Sequence, residues 1–329
     1  MPPEQMAMGA ATASQMRDAS EFYRRGRLPE AERVCRAILA REPDHFEARR
    51  LLGVTLYWSG EFEAAQHELA QALTIDPASV DTYLDRGQAL RSLSRYEESL
   101  ACAEQAVALR PDFAQALYSR GVALMDLQRS EEALAGFDAV LAIDPNHAEA
   151  INDRGITLGG MNRLDEAIAH YDRAIAINPN YAHALNNRGV ALCAAGRFEE
   201  ALANFARLLA IAPNYAEGHY NRGITLSTLK HANDERAASD ENVAPKNARL
   251  LADALASYDE AIALRPSLAD AYNRRGAILF ELGRIAEALQ SYDRALALQP
   301  DFPEAAEGRA RCAALGYGPE LGRELSLRL

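Results

Sequence analysis

The sequence predicts an all-α chain assembled from repeated pairs of helices, and three observations carry that prediction. Prolines recur on a fixed interval. Pro43, Pro77, Pro111, Pro145, Pro179 and Pro213 are evenly spaced at a period of 34, and Pro300 follows Pro266 by the same step. Small and large residues stand at constant offsets from each proline. Twelve positions before it lies Ala31, Ala65, Ser99, Ala133, Ala167, Ala201, Ala254 or Ala288. Eight before it lies Cys35, Leu69, Ala103, Phe137, Tyr171, Phe205, Tyr258 or Tyr292. Between the prolines, apolar residues recur at helical spacing, as Leu202, Phe205, Leu208 and Leu209 do.

The opening segment 1–11, "MPPEQMAMGAA", carries neither the repeat nor a basic start followed by an apolar run. It is expected to be a flexible N-terminus and not a signal peptide. From residue 12 the repeat begins. Within each unit a glycine stands 24 positions before the proline: Gly53, Gly87, Gly121, Gly155, Gly189 and Gly276, with Ala19 in the first unit. A small residue lets one helix approach another closely, and the large residue fills the space beside it. In the sixth unit "AHALNNRGVALCAAG" reads as the first helix and "FEEALANFARLLAI" as the second. Gly196 ends the first, and "APNY" ends the second with a proline that cannot continue it.

One unit departs from the period. Pro266 lies well beyond the expected step from Pro213, and the surplus is residues 230–248. It falls between the first and second helices of the seventh unit, where added length costs least. "KHANDERAA" is expected to extend the first helix by about two turns, and "SDENVAP" to turn, with Pro245 at the start of a helix. The expected result is a helical protrusion with a mobile tip. After Pro300, residues 303–315 read as one closing helix and 316–329 as a tail.

These residues resemble the tetratricopeptide repeat (TPR) family, with eight copies over residues 12–302. The resemblance implies a right-handed α-solenoid of eight helix-turn-helix repeats plus a C-terminal capping helix. It also implies that the first helix of each pair lines a concave groove where a polypeptide binds. Carried onto this sequence, the groove candidates are Arg50, Tyr57, Trp58, Leu84, Arg91, Tyr118 and Met125. In the C-terminal half they are Asn152, Asn186, Asn187, Tyr220, Asn221, Asn273 and Phe280. The asparagines form a partial ladder similar to that of the TPR arm of O-linked N-acetylglucosamine transferases, where an amide can both donate to and accept from a peptide backbone. Members that grip an acidic tail use clustered lysine and asparagine. Val54, Val122, Ile156 and Val190 occupy the corresponding places here, so that partner class is not expected.

One feature departs from the family pattern: arginine precedes the glycine in six units, at Arg86, Arg120, Arg154, Arg188, Arg222 and Arg275. Second helices carry Asp138, Asp172, Asp259 and Asp293, with Glu104 at the same place, so arginine–carboxylate pairs across helices are expected. Because the sixth unit has Ala206 there, Arg188 is expected to find its partner elsewhere. The acids Glu47, Asp81, Glu149, Glu217 and Asp270 in the first turns complement the helix dipole.

Composition narrows the function. Asp and Glu total 47 against 35 Lys and Arg, a formal charge of −12 that repels a phosphate backbone, so no nucleic-acid partner is expected. The four cysteines are scattered and suit core thiols in a reducing compartment, and no apolar run is long enough for a membrane span, so a cytoplasmic protein is expected. The seven histidines form no chelating pair, and GxxxxGK[ST] and GxSxG are absent. Neither catalysis nor a cofactor or metal is expected. The leading expectation is a protein-interaction scaffold. The alternatives are a substrate-recruiting arm of a glycosyltransferase system, or self-assembly through the solenoid ends as a homo-oligomer.

Overall fold

The computed structural model describes residues 3–236 and 243–315, and these form 17 α-helices. The chain divides into two compact units, Met1–Thr157 and Leu158–Leu329. The helices of the first unit are α1 (Pro3–Arg24), α2 (Leu28–Leu39), α3 (Phe46–Trp58), α4 (Phe62–Ile75), α5 (Val80–Ser92), α6 (Tyr96–Leu109), α7 (Ala114–Asp126) and α8 (Ser130–Ile143). The division falls inside α9 (Ala148–Gly160). Then come α10 (Leu164–Ile177), α11 (Ala182–Ala194), α12 (Phe198–Ile211), α13 (Ala216–Arg236), α14 (Val243–Leu264), α15 (Ala269–Glu281), α16 (Ile285–Leu298) and α17 (Pro303–Ala314). Helix α1 begins at Pro3, so most of the segment expected to be flexible is helical.

From α1 to α8 and from α10 to α17 each helix packs on its neighbours in the chain, and first helices also touch the next first helix: α1 with α3, α3 with α5, α5 with α7, and α11 with α13. Repetition of one packing along the chain is the α-solenoid class, as expected. The helices end for local reasons. Before each ladder proline, residues such as Asp76 (φ −128°, ψ 92°) and Asn178 (φ −126°, ψ 94°) are extended, because the proline ring excludes the helical conformation. The turn inside each pair needs one left-handed residue. Gly26, Gly60, Gly196 and Gly283 supply it in four pairs, and Ser94, Gln128 and Asn162 do so at φ of 58–60° in three others. A side chain there is strained. Gln128→Gly is therefore expected to stabilise the first unit by about 0.5–1 kcal/mol, read from urea midpoints, with Gly60→Ala shifting it the other way.

The second helices open on a motif that sequence reading passed over. Arg27, Arg95, Arg129, Arg163, Arg197 and Arg284 each bond the glutamate three positions on, at 2.6–2.9 Å. The glutamate also lies in the first helical turn, where a negative charge suits the helix dipole.

The small–large alternation is the core. A Cβ built on Gly121 would meet the Phe137 ring at 2.8 Å, and one on Gly223 would meet Tyr258 at 2.7 Å. Phe137, Phe205 and Tyr258 are completely buried.

Arginine–aspartate pairs form, but in a different register from the one expected. Three of the six arginines reach back to the second helix before them, Arg154–Asp138 at 2.8 Å, Arg188–Asp172 at 2.6 Å and Arg275–Asp259 at 2.6 Å, and Arg309 of α17 does the same with Asp293 at 2.5 Å. Arg188 thus has its carboxylate. In the same register Ala206 stands opposite Arg222, which donates to Ser257 Oγ at 2.9 Å. Ala70 stands opposite Arg86, which lies against the Cys102 sulfur at 3.9 Å. Such half-exposed pairs contribute roughly 0.2–1 kcal/mol each.

The insertion lengthens both helices of its pair, α13 to Arg236 and α14 from Val243, as expected for the first of them. The expected turn over 239–245 ends earlier than predicted, since residues 243–245 already belong to α14; residues 237–242 and the tail, 316–329, lie outside the described residues. At the base, Lys230 bonds Asp234 at 2.7 Å and Glu281 of the following repeat. Buried Asn247 donates to Asp234 at 2.6 Å and accepts from Asn233 at 3.2 Å. Lys230 and Lys246 are the only lysines in the chain. Lys230 has its side chain 12% exposed, while Lys246 is open to solvent. An amine-acylating reagent is expected to mark Lys246 many times faster than Lys230, as followed by peptide mass spectrometry. Equal rates would contradict the docked base.

Candidate functional site

Polar side chains near the middle of the first helices bond from one repeat to the next. Arg50 donates to Asp85 at 3.0 Å, and Tyr118 Oη to Asp153 at 2.7 Å. Asn221 Nδ2 donates to Asn186 Oδ1 at 2.9 Å. Closer to the helix C-termini, Arg91 bonds Asp126 through Nε and through Nη2, the latter at 3.3 Å. These links tie neighbouring first helices together. They also engage many of the groups expected to meet a partner.

The expected site residues therefore separate. Leu84 is 8% exposed and packs with Val80, Ala106 and Ala116, so it is core and offers no surface. Asn152 and Asn186 are 3% and 9% exposed and so are buried. Asn152 donates to Asp153 at 2.9 Å. Met125 and Tyr118 are half-buried against the cluster around Phe137. Tyr220 packs against the last core cluster of the second unit, and the Arg311 guanidinium of α17 covers Phe280 at 4.4 Å. Asn187, Asn221 and Asn273 keep partial exposure. The asparagines thus form no open ladder in either unit.

In the first unit three candidates come together. Trp58 ends α3 with 64% of its surface exposed, and Tyr57 stands edge-on to it at 5.5 Å, with Phe62 on its other side at 5.5 Å. Beside Tyr57 a cavity of about 400 Å³ opens between α3, α5 and α7, walled by Gln88, Arg91, Ser92, Tyr96 and Asp126. Gln88, Ser92, Tyr96 and Asp126 were not picked out from the sequence. The signal available was the offset from Arg91 to Asp126, one position more than the period. The cavity offers rings, an amide and a neutralised ion pair, but no nucleophile–base pair. No cluster of His, Cys, Asp and Glu capable of holding a metal occurs among the described residues.

Two half-buried carboxylates belong to this network. Burial raises the pKa of Asp153 against the opposing hydrogen bonds from Tyr118 and Asn152, and raises that of Asp85 against Arg50. A carboxyl that holds its proton more tightly when folded lowers stability at neutral pH, and the loss is relieved as the pH falls through the folded pKa. Glu30, Glu98, Glu132, Glu200 and Glu287 are shifted down by their arginines, so their contribution is present at neutral pH and lost on acidification. Asp153→Asn is expected to gain more stability over the native chain at pH 7 than at about pH 4, in paired urea melts. A gap that widens on acidification would contradict the burial.

Family models for the tetratricopeptide repeat match residues 22–90, 84–148, 152–216 and 269–302, and a further TPR-repeat model matches 251–283. The chain belongs to the tetratricopeptide repeat family. Among solved structures, this TPR chain is similar to a chain of the APC/C Cut9–Hcn1 hetero-tetramer, with TM-score 0.63, 14% identity and 90% of this chain covered. It spans 54% of that chain's length. A tetratricopeptide repeat protein from Parabacteroides merdae matches with TM-score 0.55 and 16% identity, over 92% of this chain and 99% of that one. Pseudomonas aeruginosa pilF matches with TM-score 0.54 and 19% identity, over 64% and 96%. At these identities the likeness is one of fold. No curated protein matches the sequence. No described helix is long and apolar enough to cross a membrane.

Proposed function

We propose that this TPR protein is a non-catalytic interaction scaffold that holds a polypeptide along the face formed by its first helices. The observation that supports this most directly is Trp58, a large indole left 64% exposed beside an open, ring-lined cavity. Tryptophan and tyrosine with this mix of apolar body and polar edge anchor interfaces. First helices also carry exposed aliphatic groups one position after the packing glycine, Ile156 in the first unit and Val190 in the second. The second helices also expose large aliphatic groups, but at their C-terminal ends: Leu109 and Ile143 in the first unit, and Ile177, Ile211 and Leu264 in the second.

Site-specific photo-crosslinking tests the reading. A photoreactive residue is placed at Gln88 or Val190 on first helices, or at Glu104 on a second helix. Capture of one polypeptide from positions 88 or 190, competed by that polypeptide once purified, is the expected result. Capture from position 104 alone would overturn the assignment of the face.

A further inference from the structure

The first-helix face of the first unit carries a charge that selects its partner. Six carboxylates stand on it: Glu47, Asp81, Asp85, Asp126, Glu149 and Asp153. Arg50 and Arg91 stand beside them, each already bonded to one of those carboxylates, Asp85 and Asp126, and Arg17 of α1 is exposed two repeats before Asp85 in the same register. Other arginines of these helices turn away to second helices. Arg49 bonds Glu68 at 2.8 Å, Arg154 bonds Asp138 at 2.8 Å, and Arg86 lies against Cys102. Arg110, from the end of α6, reaches Asp81 only at 3.7 Å. The face is therefore net negative, and Glu47 and Glu149 are open to solvent on it.

Trp58 adds a second, independent preference. The face of an indole carries negative π density and attracts a cation more strongly than any other side-chain ring. Arg91 does not oppose such a cation with a free charge, because Asp126 takes two of its N–H groups. A second copy of this chain is a poor occupant, since each copy carries −12, and a nucleic acid is repelled by the same field.

We propose that this face takes a basic, extended polypeptide segment, with a lysine or arginine cation seated over Trp58 and further cations along the carboxylate row. The proposal rests on the reading of the first-helix face as a polypeptide-binding surface and names its partner class. Complementary charge of this kind speeds association and is screened by salt.

Trp58 is the chain's single tryptophan, so its emission reports on this site alone. The full chain is titrated with three twelve-residue peptides on one Gly/Ser/Ala background, bearing four arginines, four glutamates or four glutamines. The arginine peptide is expected to shift Trp58 emission saturably, to bind about tenfold tighter than the glutamate peptide, and to weaken as salt rises. Trp58→Ala, checked for fold by circular dichroism, is expected to weaken a fluorescein-labelled arginine peptide about threefold to fivefold by anisotropy. Glu149→Gln is expected to weaken it as well. Equal binding of all three peptides overturns the basic-partner inference while leaving the scaffold reading standing. Preference for the glutamate peptide, or no binding of any of them, overturns it too. The crosslinking result at positions 88 and 104 then decides the broader reading separately.

Discussion

Phe137→Ala is expected to cost the first unit about 3–5 kcal/mol, a large share of what holds an ordinary domain together. The ring is fully buried, and it packs among Leu117, Val122, Leu124, Ala133 and Val140. It also fills the space that Gly121 leaves, since a Cβ on that glycine would stand 2.8 Å from the ring. Removing the ring leaves a void between α7 and α8 that two regular helices cannot close without breaking their own hydrogen bonds. In a stacked array each repeat is stabilised mainly by its neighbours, so the weakened pair is expected to interrupt cooperativity along the unit. Urea unfolding followed by circular dichroism measures it, with Phe205→Ala, at the same register and also fully buried, as the companion in the second unit. A loss under about 1 kcal/mol would mean that the site collapses and that the small–large alternation is not what holds the pair.

Gly308→Leu is expected to undock the closing helix. Tyr292 is clasped between two glycines, one on each side. A Cβ at Gly276 would meet its ring at 2.8 Å, and a Cβ at Gly308 of α17 would overlap the ring and stand 2.8 Å from its hydroxyl oxygen. Overpacking of a filled site costs about 1–3 kcal/mol, and it would strain the other contacts that hold α17: buried Ala305 and Cys312, the Arg309–Asp293 pair, and Arg311 over Phe280. Amide exchange over 303–314 is expected to rise sharply in Gly308→Leu while α11 and α12 stay protected. Adding Tyr292→Ala removes the obstacle, so the double variant is expected to protect α17 better than Gly308→Leu alone. Additive damage in the double variant would rule out the steric account.

Much of this fold was legible because a repeat samples the same packing problem several times. A single pair of prolines one period apart means little, but six in succession mark where second helices must stop, and the prolines do stop them through the extended residue before each. The glycine and the large residue meet in the core as their offsets implied at Gly53–Leu69, Gly121–Phe137, Gly189–Phe205, Gly223–Tyr258 and Gly276–Tyr292, while Gly87 faces Cys102 and Ser99. The closing helix and the extension of α13 were also readable, from helix formers bounded by breakers. The partner of each arginine was not. A period says that Arg188 and an aspartate recur together, but not whether the arginine reaches forward within its own repeat or back to the previous one. The observed choice, back to Asp172, depends on which second helix lies alongside.

The candidate site shows the same boundary more sharply. Trp58, Tyr57 and Arg91 were identified by type and position, and they stand together on one face. Leu84, Asn152 and Asn186 sit at equivalent positions in their helices and are buried. Burial at that position depends on how far the next first helix leans over it, which no single repeat encodes. The sequence alone determined the period, the helix ends, the core pairs and the surplus of negative charge, because these follow from local sterics and composition. Only the tertiary structure decided which polar groups spend their hydrogen bonds on the neighbouring repeat and which side chains, like Trp58, remain exposed. That outcome depends on contacts between residues a full repeat apart, which exist only once the helices are stacked.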